Sequence, residues 1–277
     1  MINFSVLMSV YKNDNPIYYK IALNSVTKYQ TLKPTQVVVV FDGPVAEDIE
    51  SITKTISEEN KEIEFFVIKL QKNSGLANAL NIGLKNCKYD YVARMDSDDI
   101  AISNRFEKQI AFIEDHPETD LLGGFISEFN DDPDHIVSVR SVGCTKKDIV
   151  QMAKKRTPFN HVTVIYKRDR VLSIGGYAVN FGKLEDYKLW VDMIAAEYCV
   201  ANIKDILVNV RVGDEQVQRR SNPKEIRDWD NLQRYLINAR IINGFEALMN
   251  KVYIRLFTYM PPKLKKVAYR LLLRRRA

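Results

Sequence analysis

Two groups of carboxylates have types and spacing that suit chemistry. The first is Arg94-Met95-Asp96-Ser97-Asp98-Asp99, three acids within four residues and one cation beside them. Gathered carboxylates repel one another unless a hard cation offsets the charge. Mg²⁺ or Mn²⁺ held by one or two of them keeps positions open for diphosphate oxygens. A solvated acidic turn ahead of the next helix is the alternative. A calcium loop is excluded, because the glycine and closing glutamate of EF-hand spacing are missing after Asp98. The second group is Glu185-Asp186, at the start of a helix whose Leu189, Trp190, Met193 and Ile194 face a core. A helix N-terminus favours negative charge in any case, so the residues alone make the pair a partner of the helix dipole. Asp42 stands in Asp42-Gly43-Pro44 after an apolar run, where turn chemistry competes with a binding role.

These acids are positioned by alternating strand and helix signals. Phe4–Val10 reads as strand, 16–29 as helix, Gln36–Phe41 as strand, 45–57 as helix and 63–70 as strand. Asn15 before Pro16 supplies a helix cap and a first-turn proline, and the run Val37–Phe41 suits a strand covered on both faces. A helix over 76–87, a strand over 89–95 and a helix over 104–115 with Ser103 as cap follow, so the first acidic group sits at a strand's carboxyl end, the ligand edge of an open α/β sheet. Arg94 and Asp96, two apart, share a strand face, either as an ion pair or as a reach toward a ligand. Beyond about residue 120 the expectation is a strand over 121–127, a helix over 146–154, a strand over 162–166 and a helix from about 185. The chain has neither GxxxxGK[ST] nor GxGxxG after a strand, so a kinase phosphate loop and a dinucleotide fingerprint are absent.

Length fits one large α/β unit with a tail, divided softly at Ser221-Asn222-Pro223 into 1–220 and a helical region 221–277. No run approaches the ~20 apolar residues of a membrane-spanning helix. Met1–Val10 enters a strand pattern without signal-peptide features, which makes the cytosol the expected compartment. Cys87, Cys144 and Cys199, odd in number and far apart, are expected as buried, reduced thiols.

The net charge of +6 is uneven: residues 251–277 carry nine Lys/Arg and no acid, leaving 32 basic against 35 acidic side chains, a net −3, before them. That distribution argues against nucleic acid as a partner and for an anionic membrane surface met by the C-terminus. In 263–276, Leu264, Val267, Ala268, Leu271 and Leu272 keep helical spacing opposite Lys266, Arg270 and Arg274, the pattern of an interfacial helix. Before Pro261-Pro262, Lys251, Arg255 and Thr258 form a narrow polar stripe on an apolar segment. A helix docked on the core, or on a second copy of the chain to make a homodimer, is the alternative.

Five motifs in order resemble family 2 glycosyltransferases of the GT-A type, in the bacterial surface-polysaccharide branch, over roughly residues 3–220. They are Ser5 to Tyr11, Val40-Phe41-Asp42-Gly43, Asn73-Ser74-Gly75 with Ala79 to Gly83, Asp96 to Asp99, and Gly175-Gly176-Tyr177 leading to Glu185–Trp190. The resemblance implies a Rossmann-like, mainly parallel α/β sheet flanked by helices. It implies a UDP-sugar donor whose nucleotide meets Ser9, Tyr11, Asp42, Asn73, Asp96 and Ser97, Tyr11 lying by the uracil and Asp42 accepting its imide N–H. Asp98, with Asp96 beside it, then binds the metal, and Asp186, with Glu185, is the general base of an inverting displacement. The chain departs from many relatives in Leu80, where they carry an arginine, and Arg211, Arg219 and Arg220 either replace that charge at the diphosphate and donor sugar, together with Arg94, or form a solvated loop. His161 matches an Asn-His-Pro-Thr segment without its proline and is left unassigned. The expected reaction moves galactose or glucose to polyprenyl-diphosphate-linked GlcNAc or GalNAc in O-antigen or capsule synthesis, at the inner face of the membrane. A sugar nucleotidyltransferase on the same fold and a silent membrane-bound scaffold are the rivals.

Overall fold

A computed structural model describes residues 2–212, 225–261 and 264 of the chain. Four parallel strands form its centre: β1 (Phe4–Val10), β2 (Gln36–Phe41), β3 (Glu64–Lys69) and β4 (Tyr91–Met95), in spatial order β3-β2-β1-β4. Strand alternation sends Val6, Met8 and Val10 to one face and Leu7 to the other, and helices cover both. Helices α1 (Pro16–Ser25), α2 (Glu47–Glu59) and α4 (Arg105–Asp115) pack on the first face, α3 (Leu76–Asn86) on the second. Double cover is why β2 is buried along its whole length and reads as an unbroken apolar run.

The sheet continues past β4 through antiparallel β8 (Ile165–Lys167) and β6 (Leu121–Phe129), then β9 (Val200–Arg211), parallel to β6, and a short β5 (Ile100–Ala101). A further strand, β7 (Ile136–Arg140), pairs antiparallel with β6. The result is the expected mixed, mainly parallel sheet. Helices α5 (Lys146–Ala153), α6 (Arg168–Ser173) and α7 (Glu185–Ala195) extend the second face, and α8 (Ile226–Asn238) and α9 (Gly244–Tyr259) follow. Tyr187 and Val191 of α7 share a core with Leu232 and Leu236 of α8 and Ala247 of α9. No helix among the described residues is long and apolar enough to cross a membrane.

Several boundaries differ from expectation, each for a local reason. Asn15 does cap α1, accepting from the Ile17 and Tyr18 N–H groups, but the helix ends at Ser25 rather than Tyr29. There the Ser25 and Thr27 hydroxyls donate back to the carbonyls of Ala22 and Leu23, and such bonds compete with helix propagation. The cap of α4 is Asn104, not Ser103, whose carbonyl instead accepts from the Thr31 N–H. The expected strand over 162–166 begins as a 3₁₀ turn, His161–Thr163, and pairs only from Ile165. The Thr163 hydroxyl donates to the Asn160 carbonyl and holds that turn. Of the three thiols only Cys87 is buried; Cys144 and Cys199 are half-buried, and all are free. The Ser221-Asn222-Pro223 break and the basic helix over 263–276 fall outside the described residues, Leu264 aside.

Candidate active site

The loops after β1, β2 and β4 meet at the carboxyl edge of the sheet, the ligand edge of an open α/β fold. After β2, the Asp42 carboxylate grips the Asn73–Gly75 loop: Oδ1 accepts from the Ser74 N–H (2.6 Å) and hydroxyl (3.0 Å), and Oδ2 from the Gly75 N–H (3.0 Å). Asn73 Nδ2 donates to the Asp42 carbonyl at 3.3 Å. Gly43, at φ 89°, is required between them, because a Cβ there would lie 2.6 Å from the Asn73 nitrogen. Three accepted bonds leave the carboxylate room for about one more donor. After β1, Ser9 is half-buried and the Tyr11 ring is 37% exposed.

Asp14, in the turn after β1, is a site residue that the sequence reading missed. Its Oδ2 accepts from the Tyr11 N–H at 3.1 Å and from the Ser97 hydroxyl at 2.7 Å, tying the β1 loop to the acidic loop. Burial raises its carboxyl above the usual carboxylate range. Only the presence of an acid just beyond a strand's carboxyl end signals it in the sequence.

In the acidic loop, one carboxylate oxygen each of Asp96, Asp98 and Asp99 lie within 4.8 Å of one another. Their states differ. The Asp96 carboxylate is ion-paired with the buried Arg94 guanidinium through Oδ1, and its Oδ2 meets His161 Nε2 at 3.0 Å. Burial works against its charge, yet Arg94 and His161 hold it well below the usual range. Asp98 is pushed up to about 6 by burial and then by Asp96 and Asp14, and Asp99 is raised further by burial and its two acidic neighbours. Asp99 Oδ1 accepts the Arg211 backbone N–H at 2.9 Å. Beneath the loop the buried Arg105 donates to the Arg94 carbonyl at 2.9 Å and to Gln109 at 3.1 Å. Burial lowers its guanidinium to about 9.

His161 connects this loop to the second acidic group. Its Nδ1 lies 3.2 Å from Asp186 Oδ2, while Nε2 faces Asp96. Two ionised carboxylates accept and do not donate, so both ring nitrogens carry protons. Burial and Arg94 oppose that charge, but Asp96 and Asp186 override them and lift the imidazole to about 9. In return, His161 and the Tyr187 N–H, which donates to Oδ1 at 2.6 Å, hold Asp186 below the usual range against the effect of burial. Adjacent Glu185 is the contrast: buried, with Oε2 lacking a hydrogen-bond partner among the described residues, and pushed up to about 7 by burial and by Asp186. Two neighbouring acids are thus separated, one kept ionised and one poised near neutrality.

The Gly175-Gly176-Tyr177 segment before α7 is braced by Asn81 of α3, another residue without an assigned role in the sequence. Asn81 Oδ1 accepts the Tyr177 N–H and its Nδ2 donates to the Tyr177 carbonyl, both at 2.8 Å. Gly176 has φ 71°, and a Cβ there would collide with Asn81. Leu80 is buried in the core and offers nothing to a ligand. Arg211 ends β9 with its guanidinium over the rings of Tyr18 and Phe129, 3.8 and 4.6 Å from their centroids, and adds positive potential at Asp98. Arg219 and Arg220 lie outside the described residues.

Comparison with known proteins places the chain in a family of sugar-transferring enzymes. The family model "Glycosyl transferase family 2" matches residues 5–172. The amylovoran biosynthesis glycosyltransferase AmsE of Erwinia amylovora is 34% identical over 269 residues, covering 96% of this chain and 97% of that protein. The Escherichia coli UDP-Gal:alpha-D-GlcNAc-diphosphoundecaprenol beta-1,3-galactosyltransferase is 31% identical over 275 residues, 98% and 97% of the two chains. Among solved structures, S. aureus TarS 1-349 with UDP-GlcNAc superposes with TM-score 0.66 at 17% identity, covering 98% of this chain and 76% of that one. The Pyrobaculum calidifontis mannosyltransferase PcManGT, in complex with GDP-Man and Mn²⁺, gives 0.64 at 16%, covering 96% and 73%.

Proposed function

Because the chain belongs to glycosyl transferase family 2 and has its GT-A fold, we propose that it is a metal-dependent, inverting hexosyltransferase acting on a lipid-linked acceptor. The donor is a UDP-hexose, galactose or glucose, and the acceptor a polyprenyl-diphosphate-linked GlcNAc or GalNAc in surface-polysaccharide synthesis. A relative whose name states such a donor and acceptor, and a structural neighbour solved with UDP-GlcNAc, support this choice. The observation that carries it is the geometry of the acids: three carboxylates converge within 4.8 Å, and His161 links them to Asp186.

The donor set suits a divalent cation. Burial and mutual repulsion disfavour the charged forms of Asp98 and Asp99, a cost that a doubly charged ion relieves. Asp98 is the principal ligand, since Asp96 already spends an oxygen on each of Arg94 and His161 and completes the site only with its remaining lone pairs. Bound there, Mn²⁺ or Mg²⁺ supplies positive charge for a leaving diphosphate. Tyr11, half-exposed at the end of β1, offers a face for the uracil, and the remaining acceptor site of Asp42 reads its imide N–H, with Ser9, Asn73 and Ser97 beside them. Arg94 orients Asp96, and Arg211 and Arg219 bring charge to the donor.

Asp186 removes the proton from the acceptor hydroxyl as that oxygen attacks the anomeric carbon opposite the departing UDP. One displacement inverts the α-linked donor to a β-product. His161 is a positioning residue: it fixes the Asp186 carboxylate and keeps it ionised. The basic segment 251–277 holds the enzyme at an anionic inner membrane face, where such acceptors lie. A panel of UDP-hexoses with a diphospholipid-linked GlcNAc, read by UDP release and product mass, tests the proposal. UDP release only in the presence of acceptor, lost in Asp186→Asn, is expected; release unaffected by Asp186→Asn overturns the mechanism.

A further inference from the structure

The helix α9 leaves its solvent side apolar. Phe245, Leu248, Val252, Leu256 and Tyr259 are spaced by three and four residues, so they line one face, and every one is exposed, from 42% at Val252 to 71% at Phe245. The opposite side is docked. Ala247 is buried against α8, Asn250 Nδ2 donates to Gln233 Oε1 at 2.9 Å and to the Lys154 carbonyl at 2.7 Å, and Lys154 pairs with Glu246 at 3.0 Å. Arg255, read from sequence as part of an exposed polar stripe, instead turns to α8 and grips Asp230 at 2.7 Å. A capping box at Asn243 and Glu246 fixes the start of the helix. A five-residue apolar ridge on an ordered, capped helix is a surface that lacks a covering layer among the described residues.

We infer that this ridge, from Phe245 to Tyr259, is the face by which the enzyme lies on an anionic lipid bilayer, inserted at headgroup depth. This deepens the proposed function and rests on its reading of the basic segment 251–277, assigning the apolar insertion surface to α9, which overlaps the start of that segment. Three observations select lipid over other occupants. Residues 262–277, which follow α9 in the sequence, hold seven Lys/Arg and no acid, a charge complement to anionic headgroups and a mismatch for a second copy of the same basic segment. The ridge mixes Phe and Tyr with Leu and Val, the composition that partitions into the interface. Finally, α9 is braced on α8, and Glu225 just before α8 pairs with Lys183 at 2.6 Å, in the turn that leads directly into Glu185-Asp186. The lipid-facing helix and the base are therefore joined through one packed unit, which sets the base at a fixed height above the bilayer.

Vesicle co-sedimentation of the full chain tests the inference without donor or acceptor, so its failure is distinguishable from failure of the sugar-transfer reading. The probes are phosphatidylcholine vesicles with and without phosphatidylglycerol, at low and high salt. The variant Leu248→Glu/Leu256→Glu places charge on two exposed positions, and its unfolding temperature and UDP release with a water-soluble acceptor analogue should match those of the unaltered chain. The expected result is binding to phosphatidylglycerol vesicles that salt weakens, with partitioning about tenfold or more weaker in the double variant. A milder pair, Leu248→Ala/Leu256→Ala, should fall between the two. Unchanged partitioning in both variants overturns the inference. So does a dimer in sedimentation velocity that the double variant converts to monomer while vesicle binding persists.

Discussion

Replacing His161 by alanine removes the side chain that, among the described residues, touches both Asp96 and Asp186, and the cost follows from the geometry. The imidazole makes two contacts to carboxylates, at 3.0 and 3.2 Å, and they raise its pKa from 6.5 to about 9. Fully expressed, that change corresponds to about 3.4 kcal/mol at 1.36 kcal/mol per tenfold. The side chain is 38% exposed, so water screens the pair and the stability at stake falls to roughly 1–2 kcal/mol. The folded-state pKa lies above the unfolded one, so this contribution is complete below about pH 6.5 and is lost as the pH rises through about 9. Thermal unfolding in EDTA should therefore show His161→Ala melting roughly 2–6 °C below the unaltered chain at pH 6, with the gap closing by about pH 10. At neutral pH the same variant should lose about 10- to 100-fold in kcat with little change in the KM for the donor, as expected when a base is no longer held in place or kept ionised by its partner. A melting gap that stays constant from pH 6 to pH 10 would refute the charged bridge.

Two neighbouring sites give independent expectations. Glu185 is held up to about 7 in the folded chain, which favours its protonated form, so stability should fall as the pH rises from about 4.5 through 7; Glu185→Gln should remove this dependence and stabilise the chain at pH 8 by about 1–2 kcal/mol, measured by urea unfolding. Asn81→Ala deletes two 2.8 Å bonds to the Tyr177 backbone and should cost about 2 kcal/mol, roughly 5 °C in melting temperature, with a loss of activity as the segment before α7 loosens.

What the sequence made legible and what it hid have physical causes. The strands β1, β2 and β4, and the acids at the carboxyl ends of β2 and β4, were readable because burial on both faces leaves apolar runs of a length only a central strand needs. The strand β9 was not, because its pairing with β6 shifts register around Gly123–Ile126, and a bulged strand loses the period of two that marks a half-buried one. Single polar residues were hidden for a different reason. His161, Asp14 and Asn81 act through partners 65, 83 and 96 positions away in the chain, and no local pattern encodes such a distance. Helical spacing likewise gave the polar stripe of Lys251, Arg255 and Thr258 but not the partner of Arg255, Asp230 of α8, 25 positions away in the chain.

The account depends on the acids at the sheet edge holding a divalent cation that in turn grips a nucleotide diphosphate. Titration calorimetry of UDP into metal-stripped chain, with and without restored Mn²⁺, for the unaltered protein and for Asp98→Asn, tests this most directly. Binding that strengthens at least about tenfold with Mn²⁺, and does so only where Asp98 is intact, is the outcome that follows from the site. Equal affinity for UDP in all four titrations would contradict it.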